Sequence, residues 1–260
     1  MALIKVAGGT LDVVTEGTGR DLVILHSLLL DRTAFDGVKP ALSRRFRLHL
    51  VALPGFDGSS PVPPAIEAFA DRIAELWPAL KLEPETAVLG NGFGAMVALT
   101  LAIRHGRQFG PLVLADCVAR FSDAGRAAVG AMRQKALESG MGSIAEIAAR
   151  RIFHDAYIES HPEEIERRRL ALERMNRDTF IAACGISQNL DLQPGLASVR
   201  NPTLVVFGAL DQATPPDRNR ALAEGLGARA VALPECGHCP PLEKPDVFLA
   251  TVVPFLETGR

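Results

Sequence analysis

The sequence predicts an α/β fold: a mostly parallel sheet of eight strands, split in the chain by an inserted helical cap. Three observations carry this. Short apolar runs alternate with helical segments at steps of about 20 to 30 residues, the pattern of strands joined by crossover helices. The alternation stops between Phe121 and about Leu190, where only amphipathic segments occur, and then resumes. Finally, Gly90, Gly92 and Gly94 lie at alternate positions where one strand turns directly into a helix.

Taken in order, Leu3–Val6 and Leu11–Val14 flank a Gly8-Gly9 turn and form a hairpin. Leu22–Leu25 is a continuous apolar run ending at His26, as expected of a strand buried on both faces. Thr33–Arg45 has helical spacing interrupted at Pro40, and Arg47–Ala52 is a strand that stops at Leu53-Pro54-Gly55. Turn residues crowd Pro54 to Pro64. Ala65–Leu80 is helical, Thr86–Leu89 a strand, Phe93–His105 a helix and Leu112–Ala115 a strand. The cap helices are Ala124–Glu138, Ser143–Phe153, Glu163–Arg174 and Arg177–Ile186. Glu163–Arg174 is a solvent-facing helix with i,i+4 charge pairs. Thr203–Phe207 and Ala228–Leu233 are the last strands, with helices at Asp217–Gly225 and Pro245–Leu256. The core therefore spans residues 1–118 and 195–260, and the cap 119–194.

Composition narrows the function. A chain of 260 residues buries one full core, and aromatics at 5% suit helices packed on an aliphatic sheet. A net charge of −2 offers no basic field for nucleic acid or an anionic membrane. No apolar run approaches the ~18 residues of a membrane span. The N-terminus lacks the basic-then-apolar layout of a secretory leader, so the expected address is cytoplasmic. The expected partner is a small molecule; oligomeric state is not legible. Cys117, Cys184, Cys236 and Cys239 do not form a disulfide framework and read as buried thiols. Cys236, His238 and Cys239 lack the fourth ligand of a structural zinc site, so no metal and no cofactor is expected. His49 and His105 are explained by packing and by a helix C-terminus. His154 and His161 read as solvated cap residues.

The chemistry concentrates at three places. In Gly90-Asn91-Gly92-Phe93-Gly94 the turn from strand to helix forces its middle residue toward positive φ, which glycine tolerates best. Asp211 lies just past one strand end and His238 past the next. In a parallel sheet the loops after strand ends line one crevice, so Gly92, Asp211 and His238 should converge. A rival reading exists. Gly90-x-Gly92-x-x-Ala95, with Asp116 ending the next strand, also satisfies a dinucleotide fingerprint. Against it, such a fingerprint usually sits on the first strand of its unit, whereas here a hairpin and two strand-helix steps precede it.

Over nearly its whole length the sequence resembles the α/β-hydrolase superfamily, and more narrowly its 3-oxoadipate enol-lactonase-type members. The matching segments are Leu25-His26-Ser27 with Asp31, Leu53-Pro54-Gly55-Phe56-Asp57-Gly58-Ser59, the glycine-rich elbow, and those holding Asp211 and His238. The chain order of nucleophile, acid and base is that of the fold. The resemblance implies that the backbone N–H groups of Leu28 and Phe93 form an oxyanion hole and that Asp211 orients His238. It also implies that His26, Ser27, Asn91, Met132 and Phe153 lie by the substrate, under the cap. Two residues depart from the pattern. Ser27 replaces a glycine beside His26, placing a hydroxyl near the oxyanion site or adjusting the loop. Gly92 stands where the nucleophilic serine belongs, so an acyl-enzyme at residue 92 is impossible.

The expected function is hydrolysis of a small lactone, ester or related carbonyl compound in one step, by a water that the His238–Asp211 dyad activates. The same dyad could instead move a proton in a lyase or isomerase reaction. Two alternatives stay open: a pseudo-hydrolase that binds a ligand and releases it unaltered, and a serine hydrolase whose nucleophile was engineered to glycine. Cys239 is a further candidate for a displaced nucleophile, which would require access and a lowered pKa.

Overall fold

Eight strands form one sheet: β1 (Ala2–Val6), β2 (Gly9–Glu16), β3 (Arg20–Leu25), β4 (Phe46–Val51), β5 (Ala87–Asn91), β6 (Leu112–Ala115), β7 (Thr203–Gly208) and β8 (Arg229–Leu233). Their order is β1-β2-β4-β3-β5-β6-β7-β8. The β1–β2 hairpin joins antiparallel to β4, and every later pairing is parallel. The structure, a computed structural model, describes residues 2–259. The apolar runs of β3, β5, β6 and β7 are buried along almost their full length, as strands covered on both faces must be. β8, at the sheet edge, is mostly exposed.

The helices between β3 and β6 are α1 (Lys39–Leu42), α2 (Ile66–Ala74), α3 (Leu76–Leu80) and α4 (Phe93–His105). Between β6 and β7 come only helical elements, chiefly α5 (Asp123–Ser139), α6 (Ala145–Ile152), α7 (Asp155–Ser160), α8 (Pro162–Arg174) and α9 (Arg177–Asn189). The chain closes with α10 (Pro216–Leu226), α11 (Pro240–Glu243) and α12 (Pro245–Thr258). None of the described helices is long and apolar enough to cross a membrane.

Local chemistry explains where these elements depart from the pattern read off the chain. Thr33–Arg45 is not one helix. Asp31 caps a 3₁₀ turn at Arg32–Phe35 by accepting the Thr33 N–H, and only the short α1, started by Pro40, follows. Ala65–Leu80 divides at Glu75, because Pro78 has no N–H to offer the Ala74 carbonyl. α7 and α11 are single-turn or near-single-turn pieces too short for periodicity to reveal.

The elbow shows why its glycines are needed. Gly92 has φ 55° and ψ −119° and begins α4 without a side-chain cap. Gly94 has ordinary helical backbone, yet a Cβ there would stand 2.4 Å from the Leu25 carbonyl oxygen and 2.5 Å from that of His26. Helix propensity alone would make Gly94→Ala stabilising by about 1 kcal/mol. The contacts reverse the sign. The variant is expected to lose on the order of 1–3 kcal/mol through forced backbone movement, read as a lower urea midpoint, and a raised midpoint would contradict so close an approach of β3 to α4.

Candidate active site

The sheet order places the site. β4 lies on one side of β3 and β5 on the other, so the chain reverses its direction of travel across the sheet between them. Ligands in open α/β sheets bind in the crevice that such a reversal leaves beyond the strand ends. Leu25 pairs with Gly90, which sets His26 and Ser27 beside Asn91 and Gly92. Two strands along, Gly208 pairs with Leu233, and the loops that follow carry Asp211 and His238.

Asp211 and His238 meet. Nδ1 of His238 lies 2.8 Å from Oδ2 of Asp211, and both side chains are buried. Oδ1 of Asp211 accepts the N–H groups of Ala213 (2.7 Å) and Thr214 (3.0 Å), while Oδ2 also accepts the Thr214 hydroxyl (2.5 Å). Burial pushes the Asp211 carboxyl up, but the facing His238 charge and these hydrogen bonds outweigh it and hold the group below its ordinary value. A carboxylate opposite Nδ1 fixes the proton there, so Nε2 keeps its lone pair. Nε2 points at Gly92: a Cβ on that glycine would stand 2.9 Å from it. The same point is 2.3 Å from the hydroxyl oxygen of Ser27.

A cavity of about 40 Å³ opens onto this arrangement, lined among others by Ser27, Leu28, Phe93, Met132, Arg151 and His238. The backbone N–H groups of Leu28 and Phe93 donate to no acceptor among the described residues. Three residues expected beside the substrate stand elsewhere. His26 is held by backbone: Nε2 accepts the Leu53 N–H and Nδ1 donates to the Ser27 carbonyl, while its ring borders a separate, wider cavity against α8. Asn91 points into the protein, its amide donating to Asp116 and to the His238 carbonyl. Phe153 stacks on Tyr157 at 4.9 Å, outside the lining. Sequence reasoning missed Thr214, Ser187 and Arg151. Arg151 has no ion-pair or hydrogen-bond partner among the described residues, and burial lowers its pKa. Its neighbour Arg150 pairs with Glu146 and Asp155, and that contrast within Arg150-Arg151 is visible only after folding.

The surroundings rule on the rival readings. Asp116 is fully buried and spends its carboxylate on the Gly208 N–H and Asn91, so it faces no ribose; burial and then the Asp211 charge raise its pKa well above the ordinary value. Burial likewise raises Cys236 and Cys239, the reverse of what a displaced nucleophile requires. Asp116, Asp211 and His238 have ligand atoms within 4.8 Å of one another, but the hydrogen bonds just described already occupy them.

Glu243 secures His238 from behind. Its carboxylate accepts the N–H groups of Gly237 (2.8 Å) and Cys239 (3.0 Å), on either side of His238. Burial raises its pKa from 4.5 to about 7, against those bonds and the nearby His238. Between these values the folded chain holds a proton that the unfolded chain has released, so folding stability declines as pH rises through that window. Glu243→Gln stays neutral and is expected to remove a decline on the order of 3 kcal/mol. Urea unfolding at pH 5 and pH 7 checks this, and an unchanged slope in the variant would contradict the assignment.

With this geometry established, comparisons with known proteins can be read against it. Residues 22–251 match the model of the Alpha/beta hydrolase family. The chain is 29% identical over 254 residues to a pimeloyl-[acyl-carrier protein] methyl ester esterase of Nitrosomonas europaea, covering 93% of this chain and 97% of that protein. It is 27% identical to 3-oxoadipate enol-lactonase 2 of Acinetobacter baylyi over 73% of this chain and 70% of that one. The crystal structure of the enol-lactonase from Burkholderia xenovorans superposes with a TM-score of 0.90 at 27% identity, covering 97% and 98% of the two chains. The eight-stranded, mostly parallel sheet with its elbow and the match across residues 22–251 establish that this chain belongs to the alpha/beta hydrolase family.

Proposed function

We propose that this protein hydrolyses a small ester or lactone, with His238 as general base and Asp211 as the group that orients it. The observation that carries the reading is the 2.8 Å contact between His238 Nδ1 and Asp211, which leaves Nε2 bare and facing the cavity beside Gly92. Since Gly92 has no hydroxyl, the dyad activates water to release the acid. The unpartnered N–H groups of Leu28 and Phe93 take the negative charge that develops on the carbonyl oxygen. General-base assistance contributes ~10²–10⁴-fold and an oxyanion donor a further ~10²–10³-fold, so substantial catalysis survives without a serine at the elbow. The relatives named for an ester and a lactone support this substrate class.

The cavity bears on how substrate is admitted. At about 40 Å³ it is far smaller than the ~300–1,000 Å³ usual for ligand pockets. The substrate is therefore small and displaces part of the cap wall as it binds. Arg151, the unpaired cation in that wall, favours a substrate with an anionic or strongly polar group away from the reacting carbonyl. Four buried free thiols fit a reducing, cytoplasmic setting.

Two outcomes follow. On a panel of aryl esters and lactones, His238→Ala is expected to lower kcat/KM at least ~10²-fold, and unchanged turnover would overturn the reading. Arg151→Ala is expected to raise KM for carboxylate-bearing esters while leaving neutral esters nearly unaffected, which a pair of matched substrates differing only in that charge will show; equal effects on both would remove Arg151 from substrate recognition.

A further inference from the structure

The position left bare by Gly92 is occupied from across the crevice. A Cβ on Gly92 would lie 2.3 Å from Ser27 Oγ and 3.0 Å from Ser27 Cβ, while His238 Nε2 stands 2.9 Å away. The hydroxyl of one loop and the imidazole of another thus face each other across the place where a nucleophile's side chain would begin. Ser27 Oγ has no hydrogen-bond partner among the described residues, although the residue is almost fully buried and lines the cavity. Ser27 has a second property of an elbow nucleophile. In the usual arrangement the N–H of the following residue helps to form the oxyanion hole, and here Leu28, which follows Ser27, has a free N–H beside the cavity.

We infer that Ser27 is the nucleophile of this enzyme, moved from the turn after β5 to the loop after β3. The inference rests on the hydrolytic reading above and adds an acyl-enzyme step before the water step. His238 Nε2 takes the Ser27 proton as Oγ bonds to the substrate carbonyl carbon, and the carbonyl electron pair moves to its oxygen. That oxyanion collapses, the bond to the alkoxy oxygen breaks, and the departing oxygen takes the proton from His238. Water then gives a proton to Nε2 and attacks the acyl carbon; Ser27 Oγ leaves and recovers its proton as the acid is released. The balance closes with ester, water, acid and alcohol alone, or with the hydroxy acid when the substrate is a lactone. The same packing assigns Gly92 a purpose, since a Cβ there would displace the hydroxyl that faces it.

The test is covalent labelling of the wild-type protein with a fluorophosphonate and, separately, rapid acid quench during p-nitrophenyl acetate turnover, each followed by peptide mapping. The expected result is one adduct from each reagent on the peptide carrying Ser27, slowed at least ~10²-fold in His238→Ala and missing in Ser27→Ala. Gly92→Ser alone is expected to remain unlabelled at residue 92, whereas Ser27→Gly combined with Gly92→Ser, which clears the collision, is expected to carry the adduct at residue 92. Because mapping is done on the wild type, a poorly folded variant does not obscure the answer. Turnover of the acetate without any adduct, or an adduct away from residue 27, overturns the assignment while leaving His238 as a base for direct water attack. Turnover that survives His238→Ala defeats the hydrolytic reading itself.

Discussion

The pairing of β3 with β5, Leu25 opposite Gly90, is the constraint from which the site follows. Parallel register leaves no freedom in where the two strands end relative to one another, so the loop after β3 must pass directly over the turn after β5. Gly94 lets the first turn of α4 press against the carbonyls of Leu25 and His26 at distances that a methyl group would prevent. His26 then ties that loop to Leu53 through its ring nitrogens, both used on backbone. Burial lowers its pKa, which keeps the ring neutral and able to accept the Leu53 N–H. Ser27 is delivered to Gly92 by this set of contacts.

His238 is held with equal redundancy. Asp211 fixes the His238 ring, the Asn91 amide donates to the His238 carbonyl, and Glu243 accepts the backbone N–H groups on either side of it. The His238 N–H donates to the carbonyl of Ile152 (2.7 Å), the last residue of α6. α6 is therefore bonded directly to the backbone of His238. Any displacement of α6 that enlarges the small cavity acts on His238 as well. Arg151, one residue before Ile152, shares that path.

Much of this was legible in the chain. Alternating apolar runs located every strand, and the glycine spacing marked the elbow because only small residues permit a strand to become a helix so abruptly. Asp211 and His238 could be paired because each follows a strand, and neighbouring parallel strands end on one edge. What stayed hidden depends on contacts between distant segments. Ser27 stood out as a replacement for glycine that would either place a hydroxyl near the oxyanion site or adjust the loop; that its hydroxyl reaches residue 92 depends on the β3–β5 register. His26 and Asn91 carry polar groups close in sequence to the site, yet their partners, backbone atoms and for Asn91 also the Asp116 carboxylate, are ones that no spacing reveals. The division of Ala65–Leu80 is explained by Pro78, a local signal that amphipathic periodicity outweighed.

The central claim is that Asp211 holds His238 in the tautomer that leaves Nε2 free to take a proton. Nitrogen-edited proton NMR of the histidine side chains tests this most directly, since it reports which ring nitrogen carries hydrogen and what that hydrogen bonds to. The account predicts, in neutral solution, a strongly downfield Nδ1–H resonance from His238 that is lost in Asp211→Ala, together with an unprotonated Nε2. A His238 ring protonated at Nε2 and bare at Nδ1, or a spectrum indifferent to removal of Asp211, would contradict it.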